Sequence, residues 1–172
     1  KDMEVDVEEG LATAHHALDP AVRVGMGQQS VVFRQTNARL HGDDAIDAGF
    51  VDLVRPAMYD SFHRIWPVQP KDNVPCPPED YEAEIPNTMK VDVVGPVCES
   101  GDYLAHDREL VEPAPGDLLA VMTAGAYGAV QAGTYNTRAL VPEVLVRGGE
   151  WALVRPRLET DALIALDKLP PW

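Results

Sequence analysis

Apolar and polar residues alternate over short distances through most of the chain, and the apolar runs are brief. Residues 21–27 (AVRVGMG) read as a strand meeting a glycine turn, and residues 30–34 (SVVFR) as another strand. HGDDAIDAGF (41–50) carries turn chemistry and then a short strand end. From residue 89 onward, MKVDVVG, GDLLAVMTAG, VPEVLVRG and WALVRPR are β-rich runs divided by Gly and Pro. The last two predict a hairpin that turns at Gly148-Gly149. Three stretches have helical character. Residues 1–20 alternate acidic and apolar side chains and then run LATAHHAL, a short strand and helix ended by Asp19-Pro20. RPAMYDSFHRIW places Pro56 in a first turn and Met58, Phe62, Ile65 and Trp66 at i, i+4, i+7 and i+8, which predicts one helix with an apolar face stopping before Pro67. ETDALIALDKL predicts a helix capped by Thr160 and stopped by Pro170-Pro171. Between residues 67 and 88 six of 22 positions are proline, which predicts a surface loop.

The strands do not alternate with long helices. The expected fold class is therefore mainly β, a β-barrel or rolled sheet with two or three short helices, rather than a doubly wound α/β sheet. Residues 45–172 are expected to form this β domain, with residues 1–44 packed on it.

Composition narrows the function classes. The chain has 172 residues, enough for one domain with its own core. Fourteen Lys+Arg against 28 Asp+Glu give a net charge of −14, which opposes general nucleic-acid binding. No apolar stretch approaches the roughly 20 residues that cross a bilayer. The opening KDMEVDVEEG lacks the basic and apolar regions of a signal peptide. The two cysteines, Cys76 and Cys98, make no disulfide framework, so a reducing, cytoplasmic setting is expected.

Polar chemistry concentrates in three places. GPVCESGD (95–102) puts a thiol, two carboxylates and a hydroxyl within five residues, flanked by glycines that permit a tight turn. Cys98 could act as an acid or nucleophile, because a thiol pKa near 8.5 is easily shifted. Glu99 could pair with a substrate ammonium. The plain alternative is a β-turn with a buried cysteine and solvated acids. TAGAYGAVQAGTYNTR (123–138) has three glycines, two tyrosines and no acid. It could hold a phosphate or carboxylate, or be a glycine-bent strand with its tyrosines in the core. Arg55, Tyr59 and His63 fall at i, i+4 and i+8 on the predicted helix, where Arg55 could fork onto a carboxylate or simply face solvent. The weaker signals do not build a site. His15-His16 point apart on a helix, His41-Gly-Asp43-Asp44 lacks a partner motif, and VGMG (24–27) precedes no convincing helix. No metal site is expected.

DVVGPVCESGDYLAHDREL, PGDLLAVMTAGAYGAVQAGTYNTR and VPEVLVRGGEWALVRPR, in that order, resemble the C-terminal part of diaminopimelate decarboxylase. DAGFVDLVRPAMYDSFHRI resembles the segment just upstream, and ETDALIALDKLPPW the tail of bacterial members. The resemblance covers residues 45–66 and 91–172. It implies the removal of carbon dioxide from meso-diaminopimelate to give L-lysine, with pyridoxal 5′-phosphate as cofactor. It implies dimers in which an α/β barrel holding the cofactor on a lysine is joined to a β domain. On that resemblance Cys98 is the proton donor from across the dimer interface, and Glu99 binds the distal substrate amino group. Arg55 and Tyr59 grip a substrate carboxylate, and Tyr127 reaches both cofactor and substrate. The departures are equally informative. Only four lysines are present, none in the family's cofactor-lysine motif, and the barrel's glycine-rich phosphate loop and E-P-G-R segment are missing. Val51 stands where the family has a polar residue.

The resulting expectation is the β-domain half of a decarboxylase, inactive alone, acting as a homodimer or with a barrel-bearing chain. The alternative is a non-catalytic amino-acid-binding or regulatory domain that pairs with a full-length decarboxylase. A thiol function built on Cys98 is weaker, because no resolving cysteine lies near it in sequence.

Overall fold

The computed structural model describes residues 22–25, 30–40, 43–68, 87–147 and 149–172. The expected N-terminal helix, His15-His16, His41, Cys76, Gly148 and nearly all of the proline-rich loop lie outside the described residues. Nine strands form one mixed sheet: β1 (Val22–Gly25), β2 (Ser30–Leu40), β3 (Asp43–Ile46), β4 (Ile65–Pro67), β5 (Thr88–Val94), β6 (Tyr103–Val111), β7 (Leu118–Val121), β8 (Glu143–Arg147) and β9 (Glu150–Arg155). Three short helices accompany them: α1 (Arg55–Tyr59), α2 (Gly125–Gln131) and α3 (Thr160–Ile164), with a 3-10 turn at Tyr135–Thr137.

The long strand β2 is the hub. Its first half pairs antiparallel with β1 on one side and β7 on the other, and its second half pairs with β3. From this hub the sheet runs outward in the order β6-β5-β3-β2-β1-β8-β9, with β4 added beside β7. Two pairings are parallel, β1 with β8 and β3 with β5. Among the described residues the fold is mainly sheet with three short helices. No pairing among the described residues joins β6 to β9, so this list of strands has two ends. The described core gathers side chains from β3 to β7 and from the connecting segments, with Ile46, Leu53, Ile65, Leu104 and Leu119 the largest that are fully buried.

The sequence reading needs three corrections. The helix drawn from Arg55 to Trp66 ends at Tyr59. Asp60 takes a left-handed conformation (φ 52°) that closes the helix, its amide donating to the Pro56 carbonyl at 2.9 Å. Aspartate tolerates that conformation better than most residues, and so it stops a helix that the apolar spacing would extend. Ile65 and Trp66 are buried in β4, whereas Met58 and Phe62 are exposed, so the four do not share a helix face. Second, β6 was not foreseen, because AHDRE interrupts its alternation; a left-handed Asp107 marks a break in its register with β5. Third, the 123–138 segment is not a strand, and although Ala124 enters the core its tyrosines do not. It forms α2 and the 3-10 turn, with both tyrosines exposed. The β8–β9 hairpin stands as expected. Helix α3 begins at Thr160, but its N-cap is Glu159. The Thr160 hydroxyl instead donates to the Thr137 carbonyl at 3.4 Å.

Leu119 belongs to β7, which pairs with both β2 and β4. Leu119→Ala is expected to lower unfolding free energy by about 2–5 kcal/mol, as truncation of a buried leucine does elsewhere. Urea denaturation measures this, and a loss below about 1 kcal/mol would show that the site collapses around the cavity.

Candidate functional site

Three connecting segments meet at one end of the sheet: residues 47–60, the β5–β6 loop (95–102) and residues 123–138. A buried carboxylate joins the first two. Asp102 is only 4% exposed. Its Oδ2 accepts the Val97 amide at 2.6 Å within its own loop, and its Oδ1 accepts the Phe50 amide at 2.8 Å from the other segment. The loop is closed by the Gly95 amide donating to the Asp102 carbonyl at 2.8 Å and the Asp102 amide donating to the Glu99 carbonyl at 3.0 Å. Gly49 and Gly95 flank the carboxylate so closely that a Cβ on either would collide with it. Beside it Asp52, also buried, accepts the Gly49 amide at 3.0 Å and donates its own amide to the Gly49 carbonyl.

The third segment is tied to the first by backbone and side chain. The Gly133 amide donates to the Val51 carbonyl at 2.8 Å, and Arg138 Nη2 donates to the Asp47 carbonyl at 2.7 Å. Val51 itself is buried, so an apolar residue suits that position. Asn136 and Thr137 between these ties both have φ of 56°. A left-handed threonine is rare, because its branched Cβ crowds the backbone, and such residues persist where their surroundings hold them.

These ties place the residues singled out from sequence. The Arg55 guanidinium lies 5.5 Å from the Tyr59 ring centroid and 5.6 Å from that of Tyr127. Arg55, Tyr59 and Tyr127 are thus brought together from two segments, with both rings exposed. Cys98 and Glu99 stand on the β5–β6 loop. Cys98 is a free, exposed thiol, not the buried cysteine that was the plain alternative. The Glu99 carboxylate accepts the Tyr135 hydroxyl and, on its other oxygen, the Ser100 hydroxyl, both at 3.4 Å. The edge of one ring meets the face of the other between Phe50 and Tyr135, 5.5 Å apart, so Glu99 is linked back to the Asp102 anchor.

His63 leaves the helix face expected for it. It is buried beside β7, where its Nδ1 faces the Met122 carbonyl at 3.1 Å. A carbonyl only accepts, so Nδ1 carries the proton and Nε2 holds the lone pair. Burial is the main influence on the imidazole and pushes its pKa below the ordinary histidine value. The Met122 hydrogen bond opposes this, while the charges of Arg55 and Arg108 add to it. Arg108 was not marked in the sequence, and Asp102 and Tyr135 were marked only as members of the 95–102 and 123–138 clusters, without the roles the structure gives them. For Asp102 the signal was present in the glycines at positions 49 and 95, which leave room for a buried carboxylate.

Known proteins resemble this chain in sequence and fold. The family model for the C-terminal sheet domain of pyridoxal-dependent decarboxylases matches residues 29–125. The chain belongs to this family. It is 41% identical to diaminopimelate decarboxylase of Archaeoglobus fulgidus over 150 residues, covering 86% of this chain and 33% of that protein. Diaminopimelate decarboxylase of M. jannaschii, solved in co-complex with L-lysine, superposes with a TM-score of 0.69 at 32% identity, over 83% of this chain and 30% of that one. The Helicobacter pylori enzyme, also complexed with L-lysine, gives 0.67 at 29% identity, over 80% and 31%. The chain spans about a third of the length of these decarboxylases.

Two outcomes follow for this decarboxylase sheet domain. Asp102→Ala strands the Phe50 and Val97 amides, at a cost of about 1–3 kcal/mol for each group left buried and unpaired. Amide exchange should show both protons losing protection together. Unchanged protection would mean that the carboxylate does not hold the loops. The second concerns His63. Its folded-state pKa is lowered, so below the ordinary histidine pKa the unfolded chain takes up the proton more readily. The contribution of His63 to stability is therefore complete above about pH 6.5 and shrinks as pH falls below it. Urea denaturation between pH 7.5 and 5 should show this decline, and His63→Gln should flatten it.

Proposed function

We propose that this chain is the sheet-domain half of a diaminopimelate decarboxylase, acting on meso-diaminopimelate in the cytoplasm to give L-lysine and carbon dioxide. The observation that carries this reading is the position of Arg55 between the rings of Tyr59 and Tyr127, beside the loop bearing Cys98 and Glu99. In this reading Arg55 forks onto a substrate carboxylate and the Tyr59 hydroxyl donates to it. Glu99, oriented by Tyr135, pairs with the distal substrate ammonium. Cys98 Sγ delivers the proton that replaces the lost carboxylate. Tyr127 contacts both substrate and cofactor.

Pyridoxal phosphate, when bound, supplies an electron sink, and it needs a lysine and a phosphate cradle. The residues described do not complete such a site. Lys90 lies on β5 and Lys168 follows α3, both outside the three segments that build this one. No step through the cofactor is therefore assigned to these residues. The cofactor-bearing barrel comes from outside them, in a homodimer or from a barrel-bearing chain. The decarboxylase sheet domain is rolled or closed as a barrel, and it begins before residue 45, because β1, β2 and β3 belong to the same sheet. The likeness to diaminopimelate decarboxylases over most of this chain supports this reading.

The purified chain with pyridoxal phosphate and meso-diaminopimelate is expected to form no lysine. A diaminopimelate decarboxylase whose own loop cysteine has been replaced should recover lysine formation when this chain is added. The Cys98→Ala chain should restore nothing, and Glu99→Gln should raise KM more than it lowers kcat. Sustained lysine formation by the chain alone would overturn the half-site reading. Tight binding of L-lysine or diaminopimelate in calorimetry, without any restored activity, would favour an amino-acid-binding or regulatory domain instead.

A further inference from the structure

Tyr135 reaches Glu99 from a turn that needs outside support. Its side chain is 51% exposed, so burial does not fix it. Its ring packs against Phe50, and the backbone behind it sets its direction. That backbone is strained. Asn136 and Thr137 both have φ of 56°, a conformation that a branched threonine avoids and that relaxes unless its surroundings hold it. Two contacts hold it. On one side Arg138 Nη2 donates to the Asp47 carbonyl at 2.7 Å. On the other the Thr160 hydroxyl, in the first turn of α3, donates to the Thr137 carbonyl at 3.4 Å. Helix α3 is itself docked just before Thr160, where Leu158 bridges to Leu140 and donates its amide to the Leu140 carbonyl at 3.1 Å. A continuous series of contacts thus runs from α3 through Thr137 and Tyr135 to Glu99. At its end the Tyr135 hydroxyl meets one oxygen of Glu99 and the Ser100 hydroxyl the other. An ionised carboxylate only accepts, so the places left on it suit a donor, and an ammonium brings three.

We propose that α3 sets the substrate specificity of this site from a distance. Thr160 holds Thr137, the strained turn keeps Tyr135 on Glu99, and Glu99 so held selects substrates that carry a distal ammonium over those that lack one. Tyr135 and Thr160 are positioning residues; neither touches the reacting atoms. For the identity of the substrate this inference rests on the decarboxylase reading, whereas the contacts from Thr160 to Glu99 belong to this chain alone.

The test adds the whole chain to a diaminopimelate decarboxylase whose own loop cysteine has been replaced. Carbon dioxide release is followed from meso-diaminopimelate and from 2-aminopimelate, which lacks the distal amino group. Tyr135→Phe is expected to lower the ratio of the two kcat/KM values about fivefold, the scale of one hydrogen bond, through the KM for diaminopimelate. Thr160→Val should lower the ratio about twofold, and Thr160→Ser, which keeps the hydroxyl, should leave it as it was. Thr160→Val added to Tyr135→Phe should change nothing further, because both act through one contact. A support that only stabilises the fold would slow both substrates alike, and that result would overturn the proposal. A second measurement needs no turnover: the carboxyl carbon resonance of Glu99 in the chain alone, identified by its loss in Glu99→Gln. It should move in Tyr135→Phe and in Thr160→Val. Absence of turnover with the unaltered chain would be the failure of the decarboxylase reading. Restored turnover with an unchanged ratio, or a Glu99 resonance unmoved by both substitutions, would be the failure of this inference alone.

Discussion

One buried carboxylate organises the functional end of this domain. Among the described residues no side-chain cation pairs with Asp102; it is held by the amides of Phe50 and Val97. Backbone amides have fixed directions, so satisfying both oxygens at once sets where two loops lie relative to each other. Everything proposed for the site follows from that junction. Val97 precedes the thiol and carboxylate of Cys98 and Glu99, and Phe50 precedes the helix that carries Arg55 and Tyr59. Two glycines are needed because the carboxylate occupies the space that their side chains would fill. The anchor thus fixes position without presenting any reactive group of its own.

Much of the sheet was legible in the sequence because apolar alternation is a local signal. The runs now seen as β1, β5, β7, β8 and β9 were all marked by it, and the turn glycine in the β8–β9 connection helped. What failed was set by single backbone conformations or by packing. The left-handed Asp60 ended α1 against the apolar periodicity. The strand β6 breaks its alternation at AHDRE, where His106 and the Asp107 amide both bind Asp92, at 2.7 and 2.8 Å. Those bonds outweigh the burial that would raise the Asp92 pKa, and leave it lowered. The candidate site was legible in part. CESGD and GAYG were marked as clusters of chemistry, but the role of Asp102 was not, since an aspartate beside a glycine usually signals an exposed turn. His63 was placed on a helix face by spacing alone, and the chain turns before reaching it.

The two sides of α1 have different characters. Outward, Arg55 meets exposed aromatic rings from two segments. Behind it, Arg108 rests on Phe62, near a histidine kept neutral by burial. Both arginines are partly buried, and both lay the guanidinium near aromatic rings, where its weak hydration makes the loss of water least costly.

The order of the strands also constrains how the chain reaches its native state. Strand β1 pairs in parallel with β8, joining Arg23 to Glu143, and β3 pairs with β5 across the segment that contains α1 and β4. Contacts between positions so distant require large loops to close before any stabilisation is gained, which slows folding. During synthesis β1 leaves the ribosome long before β8 exists to pair with it. Until the β8–β9 hairpin is made, the outer edge of β1 lacks its parallel partner, and an open edge invites wrong pairing and aggregation. The hairpin β8–β9, remote from Cys98 and Arg55 in sequence, thereby sets when that edge closes.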